Sequence, residues 1–265
     1  MYSETSFTRN GRHYPLSIFT PKDVENPYLI VFTHGGIVSR QFYQETGDFL
    51  ADAGYLCLMP SIPRSYVMTT KNFLTGIKDT MNFALEKMEK GSMSFNADAI
   101  GLAGHSMGAN TSLAASIEDK RIGAVVCLAP SQRNDIAGIG KNVNLGQLGQ
   151  VKAPVQLQIG TEDRFCSVKR VDRYYKSLHS DKSFVKFLGG THSGFFDYGF
   201  DITGSLLENI AGFVALRVNT GIPEYQRSLA MEIMKSWFDQ YLKGKSDYDF
   251  RGYVTFNVVD PFKSP

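Results

Sequence analysis

Gly104-His105-Ser106-Met107-Gly108 is the stretch of this chain with the clearest chemical content. A serine flanked at one residue's remove by glycines is the pattern of a nucleophile elbow, a strand-to-helix turn that exposes a hydroxyl. In a turn that tight, a Cβ at either glycine would clash with the adjoining strand or helix. The turn also aims Oγ near the N-terminus of the next helix, whose partial positive charge favours an anion. The bare pattern arises by chance in about one chain in ten of this size. Its setting is what makes it specific: small and apolar residues before it, and Ala109, Ala114 and Ala115 after it.

A serine hydroxyl is a poor nucleophile until a base takes its proton, and the base needs an orienting acid. In elbow enzymes these follow in the order acid, then His. Of the five His, His13 sits in an expected hairpin, His34 precedes a glycine pair, His105 lies inside the elbow and His179 ends a charged helix. His192 lies in Gly189-Gly-Thr-His-Ser-Gly194, just past an apolar strand, and is the expected base. Val155–Ile159 runs into Gly160-Thr-Glu-Asp163, which makes Asp163 the expected acid and Glu162 the alternative. Asp172, Asp197 and Asp201 read as solvated surface charges.

A tetrahedral oxyanion needs two donors, and losing one costs about 10²–10³-fold in rate. The backbone N–H of Met107 is expected to be one. The other should come from His34-Gly35-Gly36-Ile37, after the Leu29–Thr33 strand, with Gly36 first and Ile37 as the alternative. Loops 61–69 (with Arg64 and Tyr66), 131–150 and 193–203 should wall the cleft. Phe195 and Phe196 in the last are either substrate-facing or packed, and His105 and Tyr198 are further candidates.

The elements around these residues alternate short apolar runs with segments of helical period, the pattern of a mostly parallel sheet with helices on both faces. Tyr2–Thr8 and Tyr14–Thr20 flank Asn10-Gly11 as an antiparallel hairpin. Strands are expected at Leu29–Thr33, Tyr55–Met59, Ala99–Ala103, Gly123–Ala129, Val155–Ile159 and Ser183–Leu188, the last of the central strands. Helices are expected at Gln41–Ala53, Thr70–Lys90, Met107–Ile117, Val168–Leu178, Leu206–Leu216 and Glu224–Leu242. Between Pro130 and Pro154 glycines break any period, which reads as a surface loop with room for one short helix. The expectation is one α/β domain over residues 1–265, with about eight strands and no large cap.

Composition excludes other classes. The 28 Lys+Arg nearly balance 26 Asp+Glu, which argues against a nucleic-acid binder. At 43% hydrophobic and 12% aromatic residues the chain can fill a core and is not disordered. No apolar run nears the roughly 18 residues of a membrane span. Three Cys leave at least one thiol free and form no disulfide framework. Polar Met1–Asn10, and Pro15 and Ser17 breaking Tyr14–Phe19, match no export signal, so a cytoplasmic location is expected, with a secreted protein whose signal has been removed as the alternative. No metal-ligand or phosphate-loop spacing is present, so no metal and no cofactor is expected.

With these motifs the chain resembles the α/β-hydrolase superfamily. Within it, the chain is similar to the dienelactone-hydrolase-like group that includes bacterial cutinases, polyester hydrolases and platelet-activating-factor acetylhydrolase-like esterases. The resemblance runs from Tyr28 to about Lys243. It is carried by His34-Gly-Gly36, Leu50–Tyr55, the elbow, Gly160–Asp163, Gly190-Thr-His192 and the tail Trp237–Gly244. It implies a serine esterase passing through an acyl-enzyme, with Ser106 as nucleophile, His192 as base, Asp163 as acid, and Gly36 and Met107 as the oxyanion hole. Dienelactone hydrolases proper use Cys where this chain has Ser106. Polyester hydrolases typically carry a Trp where this chain has Ser131, and the sole Trp, Trp237, reads as core. The implied partner is a small-molecule or polymeric ester, and the oligomeric state stays open. A serine peptidase or acyltransferase on the same fold is the alternative, followed by a non-catalytic binding protein.

Overall fold

The computed structural model describes residues 1–36, 38–62, 69–131, 145–197, 223–245 and 249–258. Within them, nine strands form one sheet in the order β1-β2-β4-β3-β5-β6-β7-β8-β9. β1 (Tyr2–Arg9) and β2 (Arg12–Phe19) make the expected hairpin about Asn10-Gly11, and β2 pairs antiparallel with β4 (Leu56–Pro60). From β4 onward all pairings are parallel: β3 (Tyr28–Thr33), β5 (Asn96–His105), β6 (Ile122–Leu128), β7 (Val155–Gly160), β8 (Lys182–Leu188) and β9 (Gly252–Asn257). The central parallel strands are buried on both faces, which is why they read as unbroken apolar runs.

The ninth strand was not expected. β9 alternates half-buried and exposed residues and carries Arg251, Thr255 and Asn257 in or beside it. An edge strand with one wetted face has no continuous apolar run to betray it.

Helices cover both faces. α2 (Thr70–Glu89), α3 (Met107–Glu118) and α5 (Val168–Ser177) pack Ile77, Met81, Leu113 and Val171 against Leu29, Leu102 and Leu157. On the other face α1 (Gln44–Asp52) and α6 (Pro223–Leu242) pack Leu50, Met234, Trp237 and Phe238 against Ile30, Ala103 and Val126. Alternate residues of a strand point to opposite faces, so Leu102 and Ala103 serve different layers. Trp237 is fully buried beside Tyr241. α2 begins at Thr69, whose Oγ1 accepts from Asn72 N–H at 3.2 Å, a cap worth about 1 kcal/mol.

The first turn expected in α1 is a 3-10 turn, Arg40–Tyr43, and the stretch between Pro130 and Pro154 holds the short α4 (Leu145–Leu148). The expected helix at Leu206–Leu216 lies outside the described residues, as do residues 132–144. All three cysteines are buried, and none is in a disulfide among the described residues. No described helix is long and apolar enough to cross a membrane.

Candidate active site

Parallel strands emit their following loops from one edge of a sheet, where α/β folds gather their chemistry. β3 and β5 are neighbours, and Thr33 pairs with Gly104, so the His34–Gly36 loop and the elbow start side by side. β7 and β8 are also neighbours, with Gly160 paired to Phe187, which starts the Asp163 and His192 loops side by side.

The elbow has the geometry its glycines require. Ser106 has φ 54° and ψ −113°, a strained conformation for a residue with a side chain. A Cβ on Gly104 would come within 2.7 Å of the Gly108 backbone, and one on Gly108 within 2.1 Å of the Thr33 carbonyl oxygen. Ser106 N–H donates to Leu128 O at 2.9 Å, and Ser131 N–H donates to Ser106 O at 2.9 Å. The strained residue is therefore fixed from both sides. Ser106 sits at the N-terminus of α3.

Asp163 and His192 are joined: His192 Nδ1 and Asp163 Oδ2 lie 2.7 Å apart. Asp163 Oδ1 accepts from the N–H groups of Phe165 at 2.8 Å and Cys166 at 2.7 Å. With both oxygens engaged, the carboxylate has one orientation, and it commits Nδ1 of the imidazole. The Glu162 side chain is exposed. The His105 ring lies 4.4 Å from that of His192, which puts His192 beside the residue preceding Ser106.

Asp163, Cys166 and His192 are also the one cluster of metal-ligating types among the described residues, with ligand atoms within 4.8 Å of one another. The 2.7 Å approach of Nδ1 to Oδ2 is that of a hydrogen bond with a proton between. Two ligands of a tetrahedral zinc stand about 3.3 Å apart.

Gly36 adjoins Met107: a Cβ on Gly36 would lie 3.2 Å from Met107 Cε and 3.7 Å from its Cβ. The two expected oxyanion donors are thus neighbours. Their support comes from Tyr43, which sequence reading missed. The Tyr43 hydroxyl accepts from Gly35 N–H at 3.2 Å and donates to His105 Nδ1 at 2.8 Å. Burial, and secondarily the nearby His192, hold the His105 pKa far below its usual value, and burial raises that of the Tyr43 phenol. A neutral imidazole with Nδ1 free to accept is what that bond needs. His34 ties the same loop down, its Nε2 accepting from Ile62 N–H at 3.1 Å and its Nδ1 donating to Gly35 O at 2.7 Å.

Other expected site residues fall variously. Phe195 and Phe196 are 1% and 3% exposed, packed against His105. His13 and His179 are exposed. Ile37, Arg64, Tyr66, Tyr198 and Asp201 lie outside the described residues. Asp197 is not the solvated charge expected: its Oδ2 accepts from Glu45 N–H at 2.6 Å at the start of α1, and burial lifts its pKa to about 7. Phe165, also missed, is 40% exposed with its ring 5.1 Å from that of His192. Its place two residues after the acid was the available signal.

A family model described as Chlorophyllase matches residues 3–139, more than half of the chain. The chain belongs to the chlorophyllase family. The chloroplastic chlorophyllase-1 of Citrus unshiu is 27% identical over a 135-residue alignment that covers 49% of this chain and 39% of that protein. The chain thus spans well under half the length of that relative. Among solved structures, a dienelactone hydrolase from Anabaena variabilis is similar over 91% of this chain and 98% of its own, with TM-score 0.62 and 16% identity. Est1E from Butyrivibrio proteoclasticus is similar over 81% and 98%, with TM-score 0.58 and 16% identity. At such identities the likeness is one of fold, and the fold is that of the α/β hydrolases. This chlorophyllase-family chain has a mostly parallel sheet flanked by helices, with Ser106 in a strained turn between β5 and α3.

Proposed function

We propose that the protein is a serine carboxylic ester hydrolase, a single domain over residues 1–265, that works through an acyl-enzyme and needs no cofactor. The observation that carries this reading is the 2.7 Å bond between His192 Nδ1 and Asp163 Oδ2, formed beside a strained elbow serine. With Nδ1 committed to the carboxylate, Nε2 is left to take the Ser106 proton. Oγ then attacks the ester carbonyl. The tetrahedral oxygen takes hydrogen bonds from the N–H groups of Met107 and Gly36. Collapse expels the alcohol, which takes the proton from Nε2, and water repeats the sequence on the acyl-enzyme.

Phe165 offers exposed apolar surface beside the base, suited to the acyl or alcohol chain of small and medium esters or a polyester segment. The Citrus relative is named for chlorophyll, itself a carboxylic ester, so chlorophyll joins p-nitrophenyl acetate, butyrate and decanoate as test substrates. The wild type should turn over one or more of these, and Ser106→Ala should lose at least about 10³-fold in kcat. Absence of both burst and turnover with every ester would sink the reading.

A further inference from the structure

His192 stands in a short segment whose two ends are gripped by neighbouring residues of one distant helix. Gln226, near the start of α6 and 1% exposed, takes both backbone polar groups of the residue that precedes His192. Its Oε1 accepts from Thr191 N–H at 2.8 Å and its Nε2 donates to Thr191 O at 3.0 Å. A side-chain amide that meets a backbone residue on donor and acceptor at once acts as a strand neighbour would, fixing position and tilt. The next residue, Arg227, donates from Nη1 to Phe196 O at 2.9 Å, on the far side of His192, while its Nη2 pairs with Glu45.

The glycines of this segment fit Gln226. A Cβ on Gly194 would stand 2.0 Å from Gln226 Oε1, and one on Gly190 would stand 2.8 Å from it. The helix that carries Gln226 is itself anchored. Gln158 Nε2 donates to Ala230 O at 3.1 Å and Gln156 Nε2 donates to Ile233 O at 3.4 Å. The acid loop is tied to the same segment, Glu162 N–H donating to Gly190 O at 2.8 Å and Gly189 N–H to Thr161 Oγ1 at 2.9 Å.

We propose that Gln226 is a positioning residue for His192, clamping the Thr191 backbone so that Nδ1 faces Asp163 while Nε2 faces Ser106. The proposal rests on the triad reading above. Gln226 touches neither substrate nor reacting atoms, and its effect is on the placement of the base. A misplacement of about 1 Å in such a site costs about 10²-fold.

The test is Gln226→Met, close in volume but without the amide, measured with p-nitrophenyl butyrate beside wild type, Ser106→Ala and His192→Ala. Inactive wild type would defeat the triad reading itself. With wild type active and both triad variants inactive, Gln226→Met should lose about 10²-fold in kcat with KM nearly unchanged. In ¹⁵N-histidine-labelled protein the His192 Nδ1–H resonance should broaden or vanish. Unchanged kcat with an intact resonance would overturn the proposal. Gly194→Ala, which displaces Oε1, should reproduce the loss in wild type and add little in a Gln226→Ala background. Full additivity of these two would also overturn it, as would wild-type kcat in Gln226→Glu, which keeps the acceptor and loses the donor. The Glu variant carries the test if Gln226→Met does not fold.

Discussion

Asp163 and His192 leave adjacent strands and meet at 2.7 Å, yet they are fastened differently. The proposed acid, Asp163, is held by its own loop: the N–H groups of Phe165 and Cys166, two and three residues on, donate to Oδ1. The proposed base, His192, is held from far along the chain, by Gln226 on the backbone of the residue before it and Arg227 on a carbonyl after it. The oxyanion loop resembles the base in this respect, since Gly35 is steadied by Tyr43 and through it by His105. A group secured by its own turn needs a turn sequence, whereas one secured by a remote side chain needs the whole fold in place.

That contrast can be broken by substitution. The largest effect belongs to the locally held acid. Asp163→Asn keeps the turn's shape but removes the acceptor that selects the imidazole tautomer, and kcat should fall about 10³–10⁴-fold in steady-state ester hydrolysis. A small loss would mean that another group orients His192. Tyr43→Phe removes one acceptor and one donor behind the oxyanion loop. It should lose about tenfold in kcat/KM, the scale of an unsatisfied buried donor, with Asp163–His192 unchanged by NMR. Phe165→Ala should raise KM for the decanoate ester several-fold, as expected for apolar contact, and leave acetate nearly unaffected. Equal effects on both esters would show that Phe165 packs the base loop and does not hold the acyl chain.

The smallest effect is one of stability. Asp197 closes the far end of the base segment and faces Glu45, Asp48 and Arg227. Its pKa in the fold, about 7, stands above the ordinary 3.8, so burial favours the neutral acid. The stability gained is complete below 3.8 and fades as pH rises through about 7. Wild-type Tm should therefore fall between pH 5 and 8, and Asp197→Asn should flatten that fall. Parallel Tm profiles would place Asp197 in solvent.

The same contrast sets what could be read from the sequence. The elbow was legible because its glycines answer to backbone a few residues away or one strand over. Asp163 and His192 were legible because each follows an apolar strand within a glycine-bearing turn. Tyr43 and Gln226 were not, because nothing in their neighbourhoods announces a hydroxyl aimed at a loop or an amide aimed at a peptide 35 residues back. The glycines around His192 were visible, but the side chain that demands them was not. Asp197 misled for the same reason, its partner being the backbone of Glu45, 152 residues earlier. β9 escaped because an edge strand with a wet face has no continuous apolar signature.

The account stands on Ser106 being the activated nucleophile, and fluorophosphonate labelling mapped by mass spectrometry reads that directly. It predicts one adduct, on Ser106, formed rapidly in wild type, slowed strongly in His192→Ala and absent in Ser106→Ala. An adduct elsewhere, or labelling that persists in Ser106→Ala, would contradict it.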